Sequence, residues 1–234
     1  MTAGLDIMQH SIDSMVRVAR LEAPEFVEYD SQFALPSMDV LHAIGWPDRT
    51  ATERMRTVGV TSSAPGEGVS TIAVHMAATA ASYGRGPVLL VDCNVVRPAV
   101  HAMLQVPLAP GLAACVCGVD EAMAAIRHSP IPGLFVLPAG ELHGSPAKFY
   151  GCEALGEVIR RAADKFELTL FDLPSTGQAS CLAQIAGRLD GVVLVIEAGR
   201  VSHDVARTAK IRLEHAGARV IGGVLNHRGH RPEG

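Results

Sequence analysis

From Thr57 onward the chain alternates short β-branched runs with longer alanine-rich stretches, and this rhythm leaves few folds open to it. Thr57–Ser63 reads as a strand, and Ser70–Tyr83 as a helix with Ile72, Met76, Thr79 and Ala80 along one face. Pro87–Asp92 is the next strand, followed by Leu134–Leu137, Leu168–Asp172, Gly191–Glu197 and Val220–Asn226. Helical spacing falls between them at Glu121–Arg127, Ala147–Lys165 and Val201–His215. Continuous apolar strands separated by helices build a mostly parallel sheet covered on both faces. Its crossovers are expected to be right-handed. The expected fold is a doubly wound α/β domain over residues 57–226.

A chain of 234 residues with 48% hydrophobic content can bury one sizeable core, so one domain with an appendage is expected. The net charge of -4 gives no electrostatic reason for nucleic acid as a partner. Aromatic content of 4% argues against a base-stacking surface as well. No apolar run approaches the roughly 20 residues that span a bilayer, so the protein is expected to be soluble. The five cysteines form no paired knuckle, and Cys115 and Cys117 stand too close for an ordinary zinc pair. An odd count without a signal peptide points to reduced thiols in the cytoplasm, buried as small hydrophobes.

Residues 1–56 break the rhythm. Ile7, Met8, Ile12, Met15, Val16 and Ala19 recur at helical spacing, so Asp6–Leu21 is expected to be an amphipathic helix. It serves either as a docking or homo-oligomerisation arm, or as a helix packed on its own domain. Pro24, Pro36 and Pro47 punctuate what reads as a linker with short extended pieces. Residues 227–234 form a polar tail.

In doubly wound sheets ligands sit beyond the carboxyl ends of the strands. The first strand of the domain runs into Ser63-Ala-Pro-Gly-Glu-Gly-Val-Ser-Thr71 and then a helix. Gly66 and Gly68 let the backbone turn its N–H groups inward, while Ser70 and Thr71 open the helix where an anion is favoured. Alone, such a turn is an ordinary strand-to-helix connection. The other strand ends add Asp92, followed by Arg97-Pro98, then Asp172, and Asn226 on the last strand.

These residues together resemble the cytoplasmic P-loop NTPase-type domain of bacterial tyrosine kinases that act with membrane polysaccharide co-polymerases. That group lies near the partitioning and cell-division-site ATPases. The resemblance covers about Thr57 to Asn226 and includes Gly111-Leu112, Cys117-Gly118 and Ser145-Pro146. It implies nucleotide contacts at Gly66, Glu67, Gly68, Val69, Ser70, Thr71 and Asn226, with Mg2+ held by Ser70, Asp92 and Asp172. ATP or ADP with Mg2+ would be the cofactor.

The chain departs from the pattern where charge matters. Val69 stands at the place of the P-loop lysine, which contacts the β- and γ-phosphates. Asn94 replaces the second aspartate of the motif around Asp92, and Leu173-Pro174-Ser175 replaces Thr-Pro-Pro after Asp172. The family commonly ends in a tyrosine-rich tail; the residues after Asn226 carry no tyrosine, and Tyr29, Tyr83 and Tyr150 are isolated. In the ring-forming Glu-x-x-Arg-x-x-Arg motif, Arg17 and Arg20 are present but Ser14 replaces the glutamate.

The leading expectation is a non-catalytic scaffold of exopolysaccharide or capsule production. It would be cytoplasmic, peripheral to the inner membrane through a co-polymerase or export protein, with Asp92 and Asp172 vestigial and nucleotide binding weak. A second expectation is an active ATPase or tyrosine autokinase whose missing charge comes from a partner, a neighbouring subunit or an arginine such as Arg85, Arg97 or Arg200. A third is a partitioning-type positioning ATPase.

Overall fold

The computed structural model describes residues 15–19, 36–46, 55–178 and 182–227. Its centre is a sheet of eight strands: β1 (Met15–Ala19), β2 (Thr57–Ser62), β3 (Val88–Asp92), β4 (Arg127–His128), β5 (Leu134–Leu137), β6 (Leu168–Asp172), β7 (Gly191–Glu197) and β8 (Val220–His227). Their order is β1-β8-β7-β2-β6-β3-β5-β4. The six strands from β8 to β5 run parallel, and β1 and β4 are antiparallel edges. The doubly wound α/β expectation therefore holds. β2, β3 and β6 are buried along their whole length, as a sheet covered on both faces requires.

Two apolar layers cover the sheet. On one face lie α1 (Pro36–Ala43) and α2 (Val69–Ser82), with Leu41, Trp46, Met76, Leu90 and Leu170 among the buried side chains. On the other lie α6 (Glu153–Lys165) and α8 (His203–His215), with Phe149, Leu155, Phe171 and Leu213 in the core. Short helices complete the connections: α3 (Val100–Met103), α4 (Val119–Ala124), α5 (Pro146–Tyr150) and α7 (Leu182–Ala186).

Four sequence expectations change. The helix expected over Asp6–Leu21 is a strand at Met15–Ala19, and the rest of that segment lies outside the described residues. The open edge of β8 offers a full ladder of backbone partners to a stretch carrying Val16 and Val18, and tertiary pairing overrides the helical spacing. The presumed linker contains α1, which starts on Pro36, ends at Ala43 and is followed by a turn with Gly45 at φ +84°. There the Trp46 N–H reaches back to the Leu41 carbonyl at 2.9 Å, closing the helix C-terminus. The helix expected over Ala147–Lys165 breaks at Gly151 and Cys152, where Cys152 is extended and α6 restarts. The one expected over Glu121–Arg127 stops at Ala124, because Arg127 and His128 pair with β5.

Among the described residues, no helix is long and apolar enough to cross a membrane.

Candidate functional site

The carboxyl ends of β2, β3, β6, β7 and β8 meet at one edge, and the loop Ser63–Gly68 sits over them. Gly66 and Gly68 have φ of +88° and +92°, so both stand in the left-handed region that other residues rarely adopt. At Gly68 a Cβ would run into the Asn226 amide nitrogen, so the position excludes a side chain twice over. Gly68 is also the cap from which α2 starts, with the Ile72 N–H donating to its carbonyl at 3.0 Å. Val69, Ser70 and Thr71 form the half-buried first turn of α2.

Glu67 braces the loop from within. It is fully buried, and one of its carboxylate oxygens accepts from the Ser63 hydroxyl and the Ala64 N–H. The other accepts from the Glu197 N–H at the end of β7, at 3.0 Å. Asn226 of β8 donates its amide to the Glu67 carbonyl at 2.9 Å, clamping the loop to the last strand. Glu67 and Asn226 thus bind their own chain first. Asn226 keeps one buried oxygen, Oδ1, without a hydrogen-bond partner.

Val69 packs its side chain against the apolar layer of α1 and α2. Among the described residues, Arg200, from the turn after β7, brings a cation to the loop. Its guanidinium donates to the Pro65 carbonyl at 3.1 Å and to the Glu197 carboxylate at 2.7 Å. A Cβ on Gly66 would lie 3.3 Å from it. Arg85 stacks over the Tyr83 ring just beyond the far end of α2, away from the loop. Arg97 lies on the turn after β3, where Asn94 accepts from its backbone N–H.

Asp92 and Asp172 end adjacent strands as register partners, and both are buried. Asp92 is committed to its own turn: it accepts from the N–H groups of Asn94 at 3.0 Å, Ala99 at 3.1 Å and Val100 at 3.2 Å. Burial pushes its carboxyl up to about 6 despite the three amides. Asp172 has no donor at hydrogen-bonding geometry on either oxygen. Burial, then the charge on Asp92, hold it well above the usual carboxylate range, and the Ser70 hydroxyl offsets only part of this.

The segment after Asp172 completes the rim. Thr61 donates to the Pro174 carbonyl at 2.7 Å, and Thr176 to the Ser63 carbonyl at 3.3 Å, while the Ser175 hydroxyl is buried without a partner. Asp172, Ser175 and Asn226 therefore carry unpartnered buried oxygens at one set of strand ends. Such groups are costly unless something else satisfies them. The nine candidates named from the sequence, Gly66 to Thr71, Asp92, Asp172 and Asn226, all lie at this edge. Sequence reading missed the bracing by Ser63, Glu197 and Thr176. The acidic end of β7 was a visible signal for Glu197, whereas nothing in the local sequence marks Thr176.

No protein-family model matches the chain. It is 27% identical over 220 residues to the tyrosine-protein kinase YwqD of Bacillus subtilis strain 168, covering 94% of this chain and 86% of that one. The tyrosine-protein kinase CpsD of Streptococcus agalactiae is 25% identical over 203 residues, covering 86% of this chain and 88% of its own. The succinoglycan biosynthesis transport protein ExoP of Rhizobium meliloti strain 1021 is 27% identical over 180 residues, covering 75% of this chain but 23% of its own.

Among solved structures, the VpsO kinase domain matches with a TM-score of 0.69 and 26% identity, over 74% of this chain and 85% of that one. The chimerical protein CapA2B2 shares the fold at TM-score 0.74 and 23% identity, over 82% and 83% of the two chains. The septum site-determining protein MinD of Pyrococcus horikoshii OT3, solved with Mg-ADP, shares it at 0.60 and 20%, over 70% and 67%. In sequence and fold, the chain resembles the P-loop domain of the bacterial tyrosine kinases and of related exopolysaccharide transport proteins.

Proposed function

We propose that this protein is a non-catalytic scaffold of surface-polysaccharide production, retaining a weak site for ATP or ADP with Mg2+ and working against a membrane polysaccharide co-polymerase. The observation that carries the reading is Val69. The position that holds the P-loop lysine in the bacterial tyrosine kinases it resembles bears an apolar side chain, seated against the layer of α1 and α2. A lysine there offsets the charge that develops on the phosphoryl group in flight, and valine offers nothing to it.

The remaining site still fits a hydrated cation and a phosphate chain. Gly66 and Gly68 keep the cradle open, α2 presents its N-terminus, and Ser70, Asp172 and, at one remove, Asp92 would hold Mg2+. Asp172 fits that role better than Asp92, whose oxygens already serve three amides. When bound, the cation would screen the phosphate charge. Asn94, an amide, cannot take a proton from an incoming hydroxyl. The polysaccharide partner is inferred from relatives such as ExoP, a transport protein by name.

One observation favours a second reading, that of an active ATPase or kinase. The Arg200 side chain reaches the loop from the turn after β7, at Pro65 and Gly66, and its guanidinium would supply positive charge in cis. Calorimetric titration with Mg-ATP separates the two. For the scaffold, wild type binds weakly and without hydrolysis. Val69→Lys with Asn94→Asp then tightens binding by roughly ten- to a hundredfold, from a charge-assisted contact of about 1.5–3 kcal/mol. Arg200→Ala leaves binding unchanged. Turnover in wild type that disappears in Arg200→Ala would establish the second reading and overturn the first.

A further inference from the structure

Away from the loop, on the face of α6, two cysteines meet. Cys115 lies in the 3-10 turn Leu112–Val116, and Cys152 is the extended residue that caps α6. Their sulfurs are 3.7 Å apart, in van der Waals contact, and neither is in a disulfide. We propose that Cys115 and Cys152 are a redox pair, and that a peroxide converts them to an intramolecular disulfide stapling the 3-10 turn to the head of α6.

The two thiols differ in ways that assign their order. Cys152 is half-buried, so its sulfur is the one a peroxide reaches; Cys115 is buried beneath it. Burial and the neighbouring cysteines push the Cys115 thiol upward, which keeps it protonated and unreactive until a partner is activated. Sulfur of Cys152 attacks one oxygen of hydrogen peroxide, the O–O bond breaks, and the other oxygen leaves as water. The sulfenic acid so formed is attacked by sulfur of Cys115; the S–O bond breaks, the S–S bond forms, and a second water leaves with the thiol proton. Two thiols lose two electrons and two hydrogens, and one peroxide becomes two waters.

Closure needs the sulfurs to approach from contact to about 2.05 Å. Cys152 follows Gly151 at the break between α5 and α6; its N–H donates to the Phe149 carbonyl at 3.2 Å and its carbonyl accepts from the Leu155 N–H at 3.3 Å, so closure draws on side-chain rotation and a small shift of this junction. The movement is reported close to the carboxylate pair. Tyr150, two residues before Cys152, donates its hydroxyl to the carbonyl of Cys93, the residue after Asp92, at 2.8 Å. Cys117, by contrast, is exposed, and makes a competing target.

The test uses the full chain, fully reduced and then exposed to a small excess of hydrogen peroxide. Free thiols are alkylated, and peptides are mapped by mass spectrometry without reduction. The expected product is monomeric, lighter by two hydrogens, and linked Cys115 to Cys152. Dithiothreitol reverses it. Cys117→Ser still forms the link, whereas Cys152→Ser leaves Cys115 reduced. A link through Cys117 or Cys181 instead would overturn the proposal. So would Cys152 carried to sulfinic acid beside a reduced Cys115, or a protein left unchanged. None of these readings depends on replacing the buried Cys115.

Discussion

Asp172 is buried with neither oxygen at hydrogen-bonding geometry to a donor, and a second buried carboxylate ends the neighbouring strand. In the unfolded chain both groups ionise near the usual aspartate value. In the folded chain Asp92 rises to about 6 and Asp172 rises well above its ordinary value, so the native state binds more protons than the unfolded one above the unfolded value. The sign follows: stability is highest below the unfolded pKa and falls as pH rises through about 6. Without Mg2+, Asp172→Asn is expected to raise the melting temperature at pH 7.5 and to change it little near pH 4. The gain appears in thermal denaturation as a higher midpoint at pH 7.5 that is absent near pH 4. Mg2+ with nucleotide should then stabilise wild type more than the variant. An equal effect of the substitution at both pH values would count against a raised pKa at Asp172.

At the level of elements, α1 has the clearest energetic consequence. Leu41 is fully buried, with Val40, Ile44 and Trp46 beside it against α2, and α2 is the helix that the phosphate loop opens into. Leu41→Ala is expected to cost about 2–4 kcal/mol, measurable as a shifted midpoint in urea with an unchanged slope. Removal of residues 1–46 would strip this cover and expose the apolar face of α2, giving an aggregating protein. The strands of the sheet were readable because six apolar runs sit at lengths that only buried strands occupy. The phosphate loop was readable because Gly66 and Gly68 have a backbone reason to be glycine. What escaped reading was context. Pro36 and Gly45 are helix start and stop signals, yet amid other prolines they look like linker punctuation. Val16 and Val18 fit a strand only once β8 is known to present a free edge. The brace formed by Glu67 spans 130 residues to Glu197, and no local pattern encodes a contact of that range.

For the molecule as a whole, the reading of a scaffold separates shape from chemistry. A surface held by loop, sheet and helices persists when a carboxylate at the site is made neutral. Asp172→Asn in the source organism is therefore expected to leave polysaccharide output near wild type, while deletion of the gene lowers it. Equal loss in both strains would point to phosphoryl chemistry, and no loss on deletion would remove the polysaccharide link.

The clamp between Asn226 and Glu67 also has a consequence in time. Its two residues are 159 positions apart, and synthesis delivers the loop long before the strand that closes it. While the ribosome is still translating β3 to β7, the loop over β2 has its glycines and the local bonds from Ser63 and Ala64 to Glu67, but neither the Glu197 N–H nor an amide to hold the Glu67 carbonyl. β1 waits as well, since its ladder partner is the same late strand. Both the first strand of the sheet and the phosphate cradle therefore reach their final form together, when β8 emerges and pairs with β7. A nascent chain paused before β8 would display a folded parallel centre whose loop Ser63–Gly68 is not yet clamped.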